Sequence, residues 1–281
     1  MFKKVMMAVD LSSLSMELLD AVDDLKRMGL KELILVHVIR TEMASLGLSS
    51  RRREFLDRIK ELKEKLESES LIVKVLQPVG NPHEEIKYQA EAEKVDLVVI
   101  GSYGEGFAVR RLLLGSTASG VMRGVKTPVL VQRYSRKKGK PERVPIFEDG
   151  EAVALLATDF SRNSLHVFDT FLEHTDIFKK VILFHVVDEG YTEEQLAENK
   201  AKAMEKLAGW EEEFRDKGVD VEIDIVTGIA STNIVKAARK RGATLVAVAR
   251  RGRSMFDEIL IGSTADGIVR RSPCPVLLLI S

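Results

Sequence analysis

Two stretches decide the reading: GSTASGVMRGVKTPVLV, from Gly115 to Val131, and GSTADGIVRRSPCPVLLL, from Gly262 to Leu279. Each runs from a Gly-Ser-Thr through a short helical pattern to a proline and an apolar run. Upstream, MAVDLSSLS ending at Ser15 matches LATDFSRNS ending at Ser164, so Asp10 pairs with Asp159. LILVHVI (Leu33 to Ile39) matches VILFHVV (Val181 to Val187), which pairs His37 with His185. Gly80 pairs with Gly228 and Gly104 with Gly252 at a nearly constant offset. Chance does not hold an offset over that distance, so the chain is a duplicated domain.

The length agrees. At roughly 150 residues per domain, 281 residues make two domains, each long enough to bury a core. Forty-three basic residues balance forty-three acidic ones, which argues against a general polyanion binder, so no nucleic-acid partner is expected. A single cysteine, Cys274, allows neither an internal disulfide nor a cysteine metal cluster. The apolar runs fall short of the roughly 18 residues of a membrane helix. MFKKVMMAVD reads as a strand rather than a signal peptide. No membrane association is expected, and the localisation expected is cytoplasmic. Gln132 to Glu151 is rich in Lys, Arg, Pro and Gly and reads as a solvated linker. The domains are then 1–134 and 151–281, with 135–150 between them.

Within the first copy, short apolar runs predict strands at Lys4–Val9, Glu32–Ile39, Leu71–Gln77, Leu97–Ile100 and Pro128–Gln132. Helical spacing predicts helices at Ser13–Met28, Arg51–Glu69, Pro82–Ala92 and Ser116–Arg123. Strands alternating with helices imply an α/β fold: in each copy, an open parallel sheet of five strands covered by helices on both faces.

Three features could carry chemistry: the acid ending the first strand (Asp10, Asp159), the glycine loop after the fourth strand, and the Gly-Ser-Thr opening the last helix. Ligands of open α/β sheets bind beyond the carboxyl ends of the strands, where strand order reverses. Glycines let backbone amides approach phosphate, a helix N-terminus adds a positive dipole end, and hydroxyls donate further hydrogen bonds. The chemical reading is a phosphate site at Gly104, Gly115, Ser116 and Thr117, repeated at Gly252, Gly262, Ser263 and Thr264. The alternative, a tight turn followed by a serine-capped helix, stays open on these residues alone. Neither a Walker loop nor GxGxxG is present. His37 and His185 read as core histidines, Trp210 as core, and Arg250, Arg251 and Arg253 as solvated.

Glycine, two residues, glycine, a short loop, then Gly-Ser, a helix and a PVLV strand, together with AVD10LS, ATD159FS and the HVI and HVV strands, resembles the universal stress protein family. The resemblance covers both halves. It implies a strand order of 3-2-1-4-5, as in adenine nucleotide α-hydrolase-like folds, and a nucleotide in the crevice between the first and fourth strands. In the ATP-binding branch, Asp10 and Asp159 would sit beside adenine and ribose, with Ala8 and Ala157 nearby. Val38 and Val186 would offer backbone groups to the base. Gly101, Gly104, Gly115, Ser116 and Thr117 would hold ribose and phosphates, as would Gly252, Gly262, Ser263 and Thr264. Two departures stand out: the stretch from Gly104 to Gly115 is one residue longer than the family spacing, and Ala249 replaces the first glycine. A methyl group where positive φ or close ribose contact is needed favours tighter binding in the first copy.

The implied function is an adenine-nucleotide sensor or regulator holding ATP or AMP, with any Mg²⁺ held through phosphates. No catalytic residue recurs in both copies. The rival readings are a nucleotide-free scaffold of the same fold and a slow ATPase. A pyrophosphate-loop enzyme of the wider group is disfavoured, since MAVDLSSLS lacks its SGGxDS pattern. The apolar last strands, Val129–Gln132 and Val276–Ile280, are expected to pair within the chain as a pseudo-dimer, with a further homodimer and an unnamed downstream protein as partners.

Overall fold

Runs such as LILV and LVVI are apolar at every position, the signature of parallel strands buried on both faces. In the computed structural model they form such sheets. It describes residues 1–10, 12–42, 57, 59–61, 63–64, 66–67, 70–102, 114–137, 140–188, 192–252 and 261–280. The chain divides into two compact units, Met1–Arg143 and Val144–Ser281.

In the first unit, β1 (Lys4–Ala8), β2 (Glu32–Val36), β3 (Ile72–Leu76), β4 (Leu97–Gly101) and β5 (Val129–Gln132) are all parallel. Their order is β3-β2-β1-β4-β5, the order implied by the resemblance. The predicted helix Ser13–Met28 is present as α1 (Ser13–Leu19) and α2 (Ala21–Arg27), joined at Asp20, whose backbone keeps the helical turn. Of the predicted helix Arg51–Glu69, residues 57, 59–61, 63–64 and 66 are described and helical, and Ile59 is buried. α3 (Pro82–Ala92) starts as read: Asn81 caps it by accepting the His83 N–H, and Pro82 fills a first-turn position with no N–H to waste. α4 (Ser116–Gly124) leads into β5.

The basic segment after β5 is not the solvated linker that its composition predicts. It folds back as an antiparallel hairpin of β6 (Tyr134–Lys137) and β7 (Lys140–Arg143), and β7 packs on α1. Two buried contacts hold it. Arg143 donates from Nη1 to the Asp24 carboxylate in a pair only 11% and 6% exposed. Tyr134 is also buried, and burial, with Asp10 and Glu17 nearby, pushes its phenol well above the usual value. Composition misses this because the two residues that anchor the hairpin find partners in α2 and in the α1 region.

The second unit repeats the plan with β8 (Val153–Thr158), β9 (Lys180–Val187), β10 (Asp220–Thr227), β11 (Leu245–Ala249) and β12 (Val276–Leu279). All are parallel, in the order β10-β9-β8-β11-β12. The helices are α5 (Arg162–Leu172), α6 (Glu193–Asp216), α7 (Ala230–Lys240) and α8 (Ser263–Arg271). Thr192 and Gln195 close a reciprocal capping box at the start of α6. Both sheets reverse strand order between the first and fourth strands of their unit, which opens a crevice at the carboxyl ends. Among the described residues no helix is long and apolar enough to cross a membrane.

Candidate functional site

The second unit carries a cleft of about 590 Å³ at that reversal point. Its floor begins where β8 ends. Thr158 Oγ1 accepts the Phe160 N–H at 2.9 Å and donates to Ser164 Oγ at 2.9 Å. Asp159 Oδ1 accepts the Ser161 N–H at 2.9 Å. This tight exit holds Phe160 at φ +57°, a strained conformation for a bulky residue. The Phe160 ring packs on His185 at 4.6 Å, with Lys206 Nζ 5.0 Å from its centroid.

Asp159 turns its other oxygen across the crevice. A Cβ built on Gly252 would lie 2.6 Å from Asp159 Oδ2, closer than any real contact. The Asp159 carboxylate thus lies against Gly252, in the space where a side chain there would begin, and would have to turn aside to admit one. Gly262, which opens α8, donates its N–H to the Arg250 carbonyl at 2.9 Å. That bond fastens the start of α8 to the end of β11. The exposed Ser263 and Thr264 then stand in the first turn, whose N–H groups have no intrahelical acceptors. The first unit has the same fastening, from Gly115 N–H to Ser102 carbonyl at 3.1 Å, and Ser116 and Thr117 follow it.

Another wall comes from the second strand. Gly228 donates to the Val187 carbonyl at 3.0 Å, so Val187 faces β10. Backbone groups alternate along a strand, so the N–H and C=O of Val186 face the other way. There they pass the end of β8, whose ladder with β9 stops at Thr158 and His185. The first unit repeats this: His37 donates to Leu76 and Ile39 to Pro78, leaving Val38 directed to the β1 side. The two histidines are half-buried rather than core residues. Each ring Nδ1 meets a carbonyl at the end of the first strand, His37 to Val9 at 2.9 Å and His185 to Thr158 at 2.8 Å. A carbonyl only accepts, so Nδ1 carries the hydrogen and the ring ties strand two to strand one.

Ala157, Asp159, Val186, Gly252, Gly262, Ser263 and Thr264 all line the second cleft. In the first unit Ala8 is half-buried in β1, Gly101 ends β4, and Asp10 follows β1. Gly104 and Arg253 lie outside the described residues. Gly101 pairs with Gln132 and Ala249 with Leu279, so both positions are extended strand and neither uses positive φ. The conformational reason for disfavouring Ala249 is thereby removed. Arg250, read as solvated, is 2% exposed. Burial and the neighbouring Arg251 lower its guanidinium to about 10. Trp210 is half-buried and reaches Phe160, at 5.8 Å between centroids. Motif spacing misses Thr158 and Ser164, although the hydroxyls flanking ATDFSRNS were visible. It also misses Lys202 and Lys206, which line the cleft from one face of α6.

The universal stress protein family profile matches residues 1–133 and 153–279. A universal stress protein of Mycolicibacterium smegmatis is 28% identical over 197 residues, covering 66% of this chain and 62% of its own length. One from Methanocaldococcus jannaschii is 32% identical over 152 residues, covering 44% of this chain and 91% of its own. A solved universal stress protein from Archaeoglobus fulgidus has the same fold, with TM-score 0.71, 23% identity, and coverage of 98% of this chain and 96% of that one. With the profile matching both halves and each half carrying the same parallel sheet, the chain belongs to the universal stress protein family and holds two copies of its domain.

Proposed function

We propose that the protein binds an adenine nucleotide, ATP or AMP, and acts as a sensor or regulator in a stress response rather than as an enzyme. One observation carries the reading. Asp159, the backbone of Val186, Gly252 and the Gly262–Thr264 helix start converge on a single cleft, each supplying a different part of nucleotide recognition. Val186 offers an N–H and a C=O side by side. Adenine presents an amino donor beside a ring-nitrogen acceptor, which complements that pair. Asp159 accepts hydrogen bonds, which suits ribose hydroxyls. The first-turn amides and hydroxyls of α8 suit phosphate.

A divalent ion, where one accompanies the nucleotide, is held through phosphate oxygens in this reading, as Mg²⁺ commonly is. The first unit carries the corresponding residues Asp10, Val38, Gly115, Ser116 and Thr117, with Gly101 where the second has Ala249. The test is mass spectrometry of small molecules released by denaturing freshly purified protein, followed by calorimetric titration with ATP and AMP. Replacing Ser116, Thr117, Ser263 and Thr264 together with valine is expected to weaken binding about tenfold or more, since a hydrogen bond to a charged oxygen contributes about 1.5–3 kcal/mol. Unchanged affinity would sink the phosphate assignment.

A further inference from the structure

In the second unit the ends of β8 and β9 are joined by a closed set of contacts. The Phe160 N–H donates to Thr158 Oγ1 at 2.9 Å, the Phe160 ring packs on His185 at 4.6 Å between centroids, and His185 Nδ1 donates to the Thr158 carbonyl at 2.8 Å. From α6, Trp210 and Lys206, one turn apart, meet the same ring, at 5.8 Å between centroids and at 5.0 Å from Nζ to the centroid. Phe160 stays at φ +57° inside this set. A bulky residue keeps such a conformation only where its surroundings over-determine it. Thr158, Phe160 and His185 all line the cleft. Asp159 lies between Thr158 and Phe160 in the chain, and Val186 follows His185. The set therefore brackets the two residues that the nucleotide reading gives to ribose and base. The first copy keeps only the histidine bond, from His37 Nδ1 to the Val9 carbonyl at 2.9 Å; position 9 has no hydroxyl, and position 11 is leucine, which has no ring.

We propose that Phe160 is a positioning residue of the second cleft: its ring, clamped on His185, fixes the end of β9 against the end of β8 and so tunes the cleft to adenine over guanine. The inference rests on the nucleotide reading above and adds the residue that enforces its base selection. Val186 meets the base with a backbone N–H and C=O. Such a pair has no rotatable bond with which to adjust, and hydrogen bonds weaken steeply once bent, so its fit depends on where the strand end is held. Adenine offers an amino donor beside a ring-nitrogen acceptor. Guanine offers a carbonyl acceptor beside a ring N–H donor, the reverse pattern, and the fixed pair opposes it. A strand end free to shift loses that discrimination. The start of α8, where the nucleotide reading puts phosphate, takes no part in the set, so loss of the ring acts on the base and leaves the phosphate contacts in place.

The experiment uses the full chain carrying Asp10→Ala, which removes the acid of the first unit, and titrates it calorimetrically with ATP and with GTP. We expect ATP to bind about tenfold or more tightly than GTP. Phe160→Leu, which installs the residue of the first copy, should weaken ATP about tenfold and GTP by less than about twofold, so that the preference closes. Phe160→Tyr puts a ring back and should recover the preference. Phe160→Gly accepts the positive φ without strain and serves if the Phe160→Leu chain melts early by circular dichroism; lacking the ring, it should lose ATP affinity to the same degree. A preference for ATP that survives both Phe160→Leu and Phe160→Gly overturns the proposal. So does an equal loss of ATP and GTP, the result of a merely structural role. Equal affinity for ATP and GTP before position 160 is changed overturns the base selection. Binding of neither nucleotide by the Asp10→Ala chain overturns the nucleotide reading of this cleft itself.

Discussion

Asp10 and Asp159 occupy the same place in the two copies, yet they point to different partners. Asp10 is exposed and turned back on its own helix: its Oδ1 accepts from the Ser12 N–H at 3.0 Å, from Ser12 Oγ at 2.6 Å, and from Ser15 Oγ. Asp159 accepts the Ser161 N–H with Oδ1 at 2.9 Å and places its second oxygen beside Gly252. The cause lies one residue earlier. Position 9 is valine, so the Ser15 hydroxyl is at the disposal of Asp10. Position 158 is threonine, and its hydroxyl bonds Ser164, whose own proton goes to the Ser161 carbonyl at 3.0 Å. A hydroxyl next to the acid thus decides whether the acid faces its helix or the crevice. The same motif therefore gives the acid two different settings.

The strongest way to separate the units is through the hairpin of the first. Removing one partner of a buried ion pair leaves the other charge stranded, at a cost of about 3–5 kcal/mol. Arg143→Ala should therefore strip that much from the first unit and leave the second unit's transition in place. Urea unfolding followed by hydrogen exchange resolved by segment reads it; a uniform loss over both units would contradict the division. Next comes Gly252→Val. Its side chain cannot coexist with the Asp159 carboxylate in its present position, so the carboxylate must turn away from Gly252. Nucleotide binding to the second unit should fall roughly tenfold to a hundredfold, the scale of a lost charge-assisted hydrogen bond. Titration in the Asp10→Ala chain is the measurement, and retained affinity would show that Asp159 is not a ligand contact.

Much of this was legible in the residues. The duplication and the alternation of apolar runs with helical spacing predict the α/β class, and Asn81-Pro82 marks a helix start that the structure reproduces. The placement of the candidate residues was legible in part: Gly-Ser-Thr opens α4 and α8, and Asp10 and Asp159 follow the first strand of their units. What stayed hidden depended on long-range contacts. The hairpin is held by Arg143 reaching Asp24, far back in the sequence, and nothing local in a Lys/Arg-rich segment announces such a partner. Gly252 was read as letting the backbone approach phosphate; that the Asp159 carboxylate lies against it depends on a contact across the sheet that no local pattern announces. The arginines looked solvated because charge predicts exposure, and burial of Arg250 is decided by tertiary packing.

The hydroxyl switch can be run in both directions. Thr158→Val should release Ser164 to bond Asp159 as Ser15 bonds Asp10, and weaken nucleotide binding in the second unit about threefold to tenfold, the range of one neutral hydrogen bond. Val9→Thr should do the reverse in the first unit and turn Asp10 toward its crevice. A pair of titrations, with each variant placed in a chain whose other acid is alanine, measures both. Movement in the same direction for the two changes would mean that the threonine acts only on stability.

The smallest effect is expected at Ala249, where the residue type alone had argued for a damaged site. Its backbone is extended and continues the ladder to Leu279, so a left-handed conformation is not being forced on it. Ala249→Gly then removes a methyl group without relieving strain, and it loosens the end of β11. The change should cost about 0.5–1 kcal/mol of second-unit stability, the ordinary penalty for glycine in a regular element, and shift nucleotide affinity less than about twofold. Thermal melts give the first figure and calorimetry the second. Clear tightening of ATP binding in the glycine variant would mean instead that the methyl group crowds the ribose. The family's glycine at this position would then be a ligand contact, and the second unit would be handicapped after all.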